Sequence, residues 1–282
     1  TEREIPINIH LQFSMFMESD CLVMLPTSHK GTIKEVPFVL AFVYRSDIVI
    51  SMPAKNSIKQ FVANSYYHLY NRGVEKRIIC IDEQDYAVLL SYLQTYLLPR
   101  DDQALQKIIL SDTRSYHEKN QAARLLNMNN FSSSVELVAF CLMPNHFHFL
   151  VKQKNENDID RFMNSLFTRY SMYFNRRYKR VGPLFQGLYK AVIMANDEQL
   201  LHLTRYIHRN PLQKGSALRG YVYSSYPVYL ELQKTEWVHP ESILSFFRKS
   251  NKTSYESFVE DISLNEGSIS FLGASSIDPD EV

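Results

Sequence analysis

The segment Val135–Gln153 reads VELVAFCLMPNHFHFLVKQ and holds two strand-like runs joined by a short break. The runs, Val135–Leu142 and Phe147–Gln153, are rich in the branched and aromatic residues that favour strands. Met143–Asn145 separates them with residues that favour a turn. The sequence therefore predicts an antiparallel hairpin here.

Strand-like and helix-like segments alternate on both sides of this hairpin. The predicted strands are Ser65–Asn71 and Tyr189–Met194, and the predicted helices are Asp82–Leu98, Asp158–Tyr178 and Asp197–Asn210. Apolar residues recur at helical spacing in each of the three helices. The order β, α, β, β, α, β, α predicts an α+β domain with a ferredoxin-like antiparallel sheet and helices packed on it.

Three regions stand apart from the core of this domain, which is predicted to span residues 52–240. Residues 1–51 precede Met52, which resembles a natural start, so they are either an N-terminal extension of unknown role or the product of an upstream start assignment. Residues 99–134 are polar and are predicted to form an inserted helical hairpin or a loop. Residues 241–282 are predicted to be an acidic C-terminal tail.

The composition is that of an ordinary globular protein, with 45% hydrophobic and 22% charged residues. Three cysteines without a CxxC spacing argue against a disulfide framework or a zinc knuckle, and we expect a reducing, cytoplasmic location. No apolar run approaches the roughly 20 residues that a spanning helix needs. The sequence therefore predicts neither a membrane segment nor a signal peptide.

The net charge of +1 conceals an uneven distribution of charge along the chain. Residues 161–190 contain seven Lys or Arg residues and no Asp or Glu, whereas residues 253–282 contain seven acidic residues and no Lys or Arg. Such asymmetry indicates a site for a polyanion in the basic part.

Two histidines alternate with phenylalanines in the second run of the hairpin. His146 and His148 project from one face of the strand, about 6 to 7 Å apart along the chain, while Phe147 and Phe149 face the other side. Two imidazoles so placed can share one metal ion. For an isolated H-x-H the alternative is a solvent-facing pair on an amphipathic strand.

Five motifs together resemble the single-tyrosine HUH transposases of insertion-sequence type, in particular the group associated with repetitive extragenic palindromes (REP). They are Tyr67–Gly73 (YHLYNRG), Met143–Val151 (MPNHFHFLV), Gly182–Ala191 (GPLFQGLYKA), Tyr206–Gly215 (YIHRNPLQKG) and Tyr221–Leu230 (YVYSSYPVYL). Each motif alone is weak evidence, but five in the family's order make coincidence improbable. The resemblance covers about residues 65–238. Two features depart from the family: Leu188 replaces the usual Arg, and the segment 99–134 is longer than usual.

The resemblance implies that Tyr206 is the nucleophile and that Asn210 completes the metal site. Leu200, Leu203 and Ile207 form the apolar stripe of the helix predicted at this position. Tyr206 and Asn210 follow one another along the flank of that stripe, so they can face the histidines. Tyr170 and Tyr173 are rival nucleophiles, on or beside the apolar stripe of the preceding helix.

Mg²⁺ or Mn²⁺ is the expected cofactor, because a mixed imidazole and oxygen site leaves positions open for phosphate oxygens. Such an ion would compensate for the poor nucleophilicity of a phenol with a pKa of about 10. The family implies cleavage and rejoining of single-stranded hairpin DNA through a 5′-phosphotyrosine link. The released 3′ hydroxyl can attack that link, so strands are exchanged without ATP.

The basic stretch 161–190, with its interleaved aromatic residues, is predicted to bind the DNA backbone; the alternative is a solvated helix face. The candidate DNA-binding residues are Arg72, Arg169, Arg176, Arg177, Lys179, Arg180 and Lys190. His68 and Arg72 are expected either to flank the site or to serve the first strand. The sequence leaves open a monomer or a homodimer, a catalytically idle hairpin-binding relative, and a metal hydrolase in which water attacks.

Overall fold

The computed structural model describes residues 13–18, 21–26, 61–215, 217–247 and 254–261 of the 282-residue chain. The chain divides into two compact units, Thr1–Ser51 and Met52–Val282. In the first unit, β1 (Phe13–Glu18) and β2 (Cys21–Pro26) pair as an antiparallel hairpin.

The second unit is built around a four-stranded antiparallel sheet. Its strands are β3 (Tyr66–Arg72), β4 (Val135–Leu142), β5 (His146–Gln153) and β6 (Lys190–Ile193). They lie in the order β4-β5-β3-β6. The two central strands are β3 and β5, which are the first and third strands of this unit along the chain. A helix follows each of them. This arrangement is ferredoxin-like, so the predicted α+β fold is confirmed.

Helices fill the connections between the strands. They are α1 (Glu83–Leu97), α2 (Asp102–Leu110), α3 (Tyr116–Leu126), α4 (Asp158–Arg177), α5 (Asp197–Arg209), α6 (Tyr226–Tyr229), α7 (Glu241–Leu244) and α8 (Tyr255–Glu260). In the segment 99–134, α2 and α3 pack against each other. None of the helices among the described residues has both the length and the apolar character needed to cross a membrane.

The described part of residues 241–282 belongs to the folded unit, although the sequence indicated an acidic tail. Ile243 of α7 and Val259 of α8 are fully buried in the same apolar cluster as residues of α5. The apolar side of α8 therefore explains why this helix packs on the domain. The many acidic residues of the region hide this apolar side in the sequence.

Alternation along β5 gives the sheet two distinct faces. Phe147 and Phe149 pack towards α1 and α4, and the rings of Phe147 and Phe167 stack with their centroids 4.5 Å apart. We call this side the phenylalanine face. His146 and His148 lie on the opposite side, the histidine face, where α5 covers the sheet. The two faces separate the hydrophobic core around α4 from the candidate site.

Candidate active site

Cross-strand pairing places two basic residues on the face of the sheet that carries the histidines. In the sheet register, Arg72 lies opposite His146, and Tyr70 lies between His148 on one side and Lys190 on the other. Residues directly opposite one another share a face of a sheet, so all five belong to the histidine face. The Nζ atom of Lys190 is 5.3 Å from the centroid of the Tyr70 ring. Arg72 is therefore next to His146, whereas Lys190 is separated from His148 by Tyr70.

The helix that carries Tyr206 is fixed at both ends by local sequence. The side chain of Asn196 accepts a hydrogen bond from the backbone N–H of Gln199 (2.8 Å), which caps the first turn of α5. Pro211 lacks an N–H, and α5 ends at Arg209 before a short 3-10 helix. The apolar stripe predicted for this helix is buried, at Leu200, Leu203 and Ile207.

Tyr206 and Asn210 project from α5 towards the histidines. The half-buried ring of Tyr206 lies edge-on to that of His148, with centroids 5.3 Å apart and planes inclined by 81°. The Oδ1 atom of Asn210 is 3.2 Å from Nε2 of His146, and its Nδ2 donates to the backbone carbonyl of Tyr206 (3.1 Å). The structure thus brings together the four residues that the sequence assigned to catalysis and metal binding.

The surroundings of His146 fit a divalent cation. Its Nδ1 is 2.8 Å from Oδ1 of Asn145, and its Nε2 is 3.2 Å from Oδ1 of Asn210. A neutral imidazole has only one N–H, so it can donate to only one of these two oxygens. The other nitrogen then points a lone pair at an oxygen, and a cation between the two would satisfy both. Mixed nitrogen and oxygen donors suit the expected Mg²⁺ or Mn²⁺.

The donor set consists of two imidazoles and one amide oxygen. Within the described residues, no group of three or more His, Cys, Asp or Glu side chains is placed to hold a metal ion. Such a set leaves positions open for substrate oxygens, because three protein donors do not complete an octahedral shell.

The two rival tyrosines lie on the phenylalanine face. Tyr170 is fully buried, and its hydroxyl donates to the carbonyl of Ile79 (2.6 Å). Burial raises the pKa of Tyr170, which further disfavours the phenolate. The hydroxyl of Tyr173 donates to the carboxylate of Asp85 (3.0 Å). Both hydroxyls therefore serve the core on the side of the sheet away from the histidines.

Arg177, a candidate DNA-binding residue, is engaged within the fold. Its guanidinium donates to Asp85 (2.7 Å) and to Asp82 (2.6 Å), and so joins α4 to the start of α1. Asp85 is fully buried and also accepts from the hydroxyls of Tyr173 and Tyr178. Removing the arginine would leave a buried carboxylate without its counter-charge. We therefore remove Arg177 from the candidate DNA-binding residues.

The other basic residues of α4 and the following loop have different settings. Arg176 and Lys179 are exposed at the C-terminal end of α4. The short connection from β5 makes α4 run antiparallel to that strand, so this end lies near the His146 end of the sheet. Arg180 donates to an asparagine side chain of α4, and Arg169 lies over a tyrosine ring of α1. Leu188, the departure from the family's Arg, is 74% exposed.

The C-terminal helix α8 holds α5 in place. Arg205 and Arg209, on α5, donate to the backbone carbonyls of Phe258 (2.7 Å) and Val259 (2.6 Å). The charged donors stabilise carbonyls at the end of α8, where intrahelical partners run out. The helix that presents Tyr206 is therefore sandwiched between the sheet and the end of the described chain.

Acidification should loosen this anchoring through His208. His208 is buried against the hydroxyls of Tyr255 and Ser225, and burial lowers its pKa to about 3. An unfolded histidine takes up its proton near pH 6.5, so the stabilisation is complete above that pH and is lost as the pH falls towards 3. We expect the free energy of unfolding to drop by up to about 1.4 kcal/mol per pH unit below pH 6.

Denaturant titrations of the wild type and of His208→Gln between pH 7 and pH 5 would measure this effect. Most carboxylates titrate below that window, so the variant should show a flatter dependence on pH than the wild type. Equal slopes for the two proteins would contradict the assignment.

Two residues that contact the histidines were not assigned to the site from the sequence. Asn145 was given no role, and the role of His68 was left undecided. Asn145 contacts Nδ1 of His146, and Nε2 of His68 lies 2.9 Å from Nδ1 of His148. The strand period offers a signal for His68, because it shares the face of Tyr70 and Arg72. Asn145 directly precedes the first histidine of the motif, and sequence alone does not show where its side chain points.

The comparisons with known proteins bear on this site. A family model described as "Transposase IS200 like" matches residues 113–210. No curated protein matches the chain. Among solved structures, a REP-associated tyrosine transposase bound to a REP hairpin is 12% identical, with a TM-score of 0.37, over 66% of this chain and 98% of the other. A candidate transposase from Deinococcus radiodurans R1 is 15% identical, with a TM-score of 0.22, over 56% and 95%.

TM-scores of 0.37 and 0.22 are too low to indicate a function, so only the family match bears on the site. It includes both histidines, Tyr206 and Asn210. The resemblance seen in the motifs is thus confirmed over residues 113–210, the segment that matches the IS200-like transposase model.

Proposed function

We propose that the protein is a metal-dependent single-strand DNA endonuclease and strand transferase in which Tyr206 is the nucleophile. The observation that carries this proposal is the convergence of α5 and β5. Tyr206 lies beside His148, and Asn210, one helical turn further on, reaches His146. A nucleophile and three candidate metal ligands thereby meet on one face of the sheet.

The proposed reaction is a transesterification. The phenol oxygen of Tyr206 bonds to phosphorus as the bond from phosphorus to the 3′ oxygen breaks. The phenol gives up its proton, and the leaving oxygen takes one up as the free 3′ hydroxyl. A phosphodiester is exchanged for a phosphotyrosine diester, so the reverse attack can rejoin strands without an external energy source.

His146, His148 and Asn210 would hold the Mg²⁺ or Mn²⁺ ion. When bound, the ion supplies charge neutralisation at a non-bridging phosphate oxygen and makes phosphorus more electrophilic. The chain itself contributes orientation. The sheet fixes the two histidines, and the capped helix α5 fixes the phenol, so little freedom remains to be lost in the transition state.

We infer that two groups of basic residues bind the phosphates of the DNA. Arg72 lies next to His146, Lys190 lies on the same face across Tyr70, and both would hold phosphates near the site. Arg176 and Lys179 are exposed at the same end of the sheet and would hold the strand further away. The motif resemblance supports folded single strands, which present both a helical stem and unpaired bases, as the substrate.

Labelled hairpin DNA incubated with the wild type and Mg²⁺ tests the proposal. We expect a protein–DNA adduct that survives denaturation, because only a covalent link does so. Cleavage without an adduct would favour hydrolysis by water, and binding without cleavage would favour the idle hairpin-binding protein. Either outcome overturns the proposal.

Replacing the exposed cations at the end of α4 should change the salt dependence of binding. If Arg176 and Lys179 each contact a phosphate of a single strand, the double alanine variant should lower the slope of log affinity against log salt by about 1.4. Fluorescence anisotropy of hairpin binding at several salt concentrations measures the slope. The effect should be similar for different hairpin sequences, since phosphate contacts carry no base information.

A second double variant provides the matched control. Lys154 and Arg161 are also exposed, but they lie in the β5–α4 connection and in the first turn of α4, and Arg161 is roughly 22 Å of helix away from Arg176. Replacing both with Ala removes the same charge and should leave the slope unchanged. Equal slopes for the two double variants would show that the end of α4 is only a solvated surface.

A further inference from the structure

Each histidine of the pair is bonded through the same nitrogen. Nδ1 of His146 lies 2.8 Å from the amide oxygen of Asn145, and Nδ1 of His148 lies 2.9 Å from Nε2 of His68. The rings of His68 and His148 are inclined by only 24°, with centroids 5.1 Å apart, which suits a bond between ring edges. The two partners come from different parts of the chain, a strand and a turn, yet they act on equivalent atoms.

A hydrogen bond at Nδ1 determines which nitrogen of an imidazole can bind a metal ion. A neutral imidazole carries its proton on one nitrogen and offers a lone pair on the other, and a hydrogen bond at one nitrogen decides which. The amide oxygen of Asn145 only accepts, so a neutral His146 that bonds to it carries its proton on Nδ1. His68 can accept through Nε2 in the same way when its own proton is on Nδ1.

We propose that His68 and Asn145 are positioning residues, which bind the Nδ1 atoms of His148 and His146 and so present both Nε2 atoms to the divalent cation. The inference rests on the metal site of the proposed function. It adds the orientation of the two ligands, which bond to a cation only through a nitrogen without a proton.

The burial of this group supports a positioning role. His68 and His148 are 0% and 1% exposed, and the Tyr70 ring stacks on His68 at 4.7 Å. The rings are therefore held by packing as well as by the hydrogen bond, and water has little access to replace the partner. His68 is also too enclosed to serve as a surface contact for DNA.

Manganese binding to the DNA-free, full-length protein tests the proposal. Electron paramagnetic resonance reports free Mn²⁺, so the affinity is measured without reference to cleavage. His68→Phe and Asn145→Ala should each weaken binding about 10- to 100-fold. His68→Gln and Asn145→Asp keep an acceptor oxygen near the position of the original acceptor atom, so their affinities should fall by no more than about threefold.

The exposed His117 on α3 provides the control for histidine replacement. His117→Phe should bind Mn²⁺ as the wild type does. Unchanged affinity in His68→Phe or Asn145→Ala would overturn the role of that residue while leaving the nucleophile and the metal site intact. A wild type that binds no Mn²⁺ would overturn the metal site and the positioning roles together, but the adduct test of Tyr206 would still stand.

Nitrogen NMR of the wild type without a divalent cation keeps the proposal testable if a variant fails to fold. In protein labelled with ¹⁵N histidine, the two ring nitrogens have distinct shifts according to which one carries the proton. We expect His146 and His148 to carry it on Nδ1. A proton on Nε2 of either histidine would overturn the role of its partner.

Discussion

Tyr206→Phe should abolish the covalent DNA adduct, with a loss of at least about 10³-fold in cleavage. The substitution removes the oxygen that would bond to phosphorus and leaves the ring that packs edge-on against His148. Denaturing electrophoresis of labelled hairpin DNA after incubation with Mg²⁺ measures the adduct directly. Single-turnover conditions separate the chemical step from product release.

Folding and DNA affinity should be nearly unaffected in this variant. Tyr206 is half-buried on the flank of α5, so loss of its hydroxyl should change the free energy of unfolding by no more than about 1 kcal/mol. Tyr173→Phe is the matched control, because it removes a tyrosine hydroxyl bonded to Asp85 on the phenylalanine face. An adduct that persists in Tyr206→Phe and disappears in the control would move the nucleophile to α4.

His146→Ala should remove cleavage almost completely, and EDTA should do the same to the wild type. The substitution deletes the side chain that lies between the oxygens of Asn145 and Asn210, and with it the nitrogen that completes the donor set. Without a cation, the charge that develops on phosphate loses its main stabilisation, and a rate loss of about 10³-fold or more follows.

Hairpin binding separates the loss of the cation from the loss of the substrate. Arg72 and Lys190 remain in His146→Ala, so its affinity for the hairpin should stay within about threefold of the wild type. Adding back Mg²⁺ should restore the EDTA-treated wild type but not the variant. Full cleavage in EDTA would exclude a metal-dependent mechanism.

Local patterns in the sequence account for the parts of the fold that were predicted well. β4 occupies Val135–Leu142 as predicted, because the apolar run and the break at Pro144 both act within a few residues. The start of α5 follows the Asn196 cap for the same reason. The two histidines share a face because the period of a strand is fixed by its backbone.

Contacts between distant residues account for what the sequence did not reveal. The basic run of α4 gave no indication that Arg177 pairs with Asp85, a residue 92 positions earlier in the chain. Charge along the sequence records neither burial nor partners, so bound and solvent-facing arginines look alike. In the same way, the acidic composition near the C-terminus obscured Tyr255 and Val259, which are buried.

The order of the elements along the chain matters for synthesis on the ribosome. Arg205 and Arg209 of α5 bond to α8 near residues 258–261, about fifty positions after Tyr206. Translation proceeds at roughly 5 to 20 residues per second, so the sheet emerges seconds before the segment that braces the helix carrying Tyr206. A nascent chain that ends before α8 contains every strand of the sheet but lacks the outer support of α5. Full assembly of the candidate active site is thereby delayed until nearly the whole described chain is present.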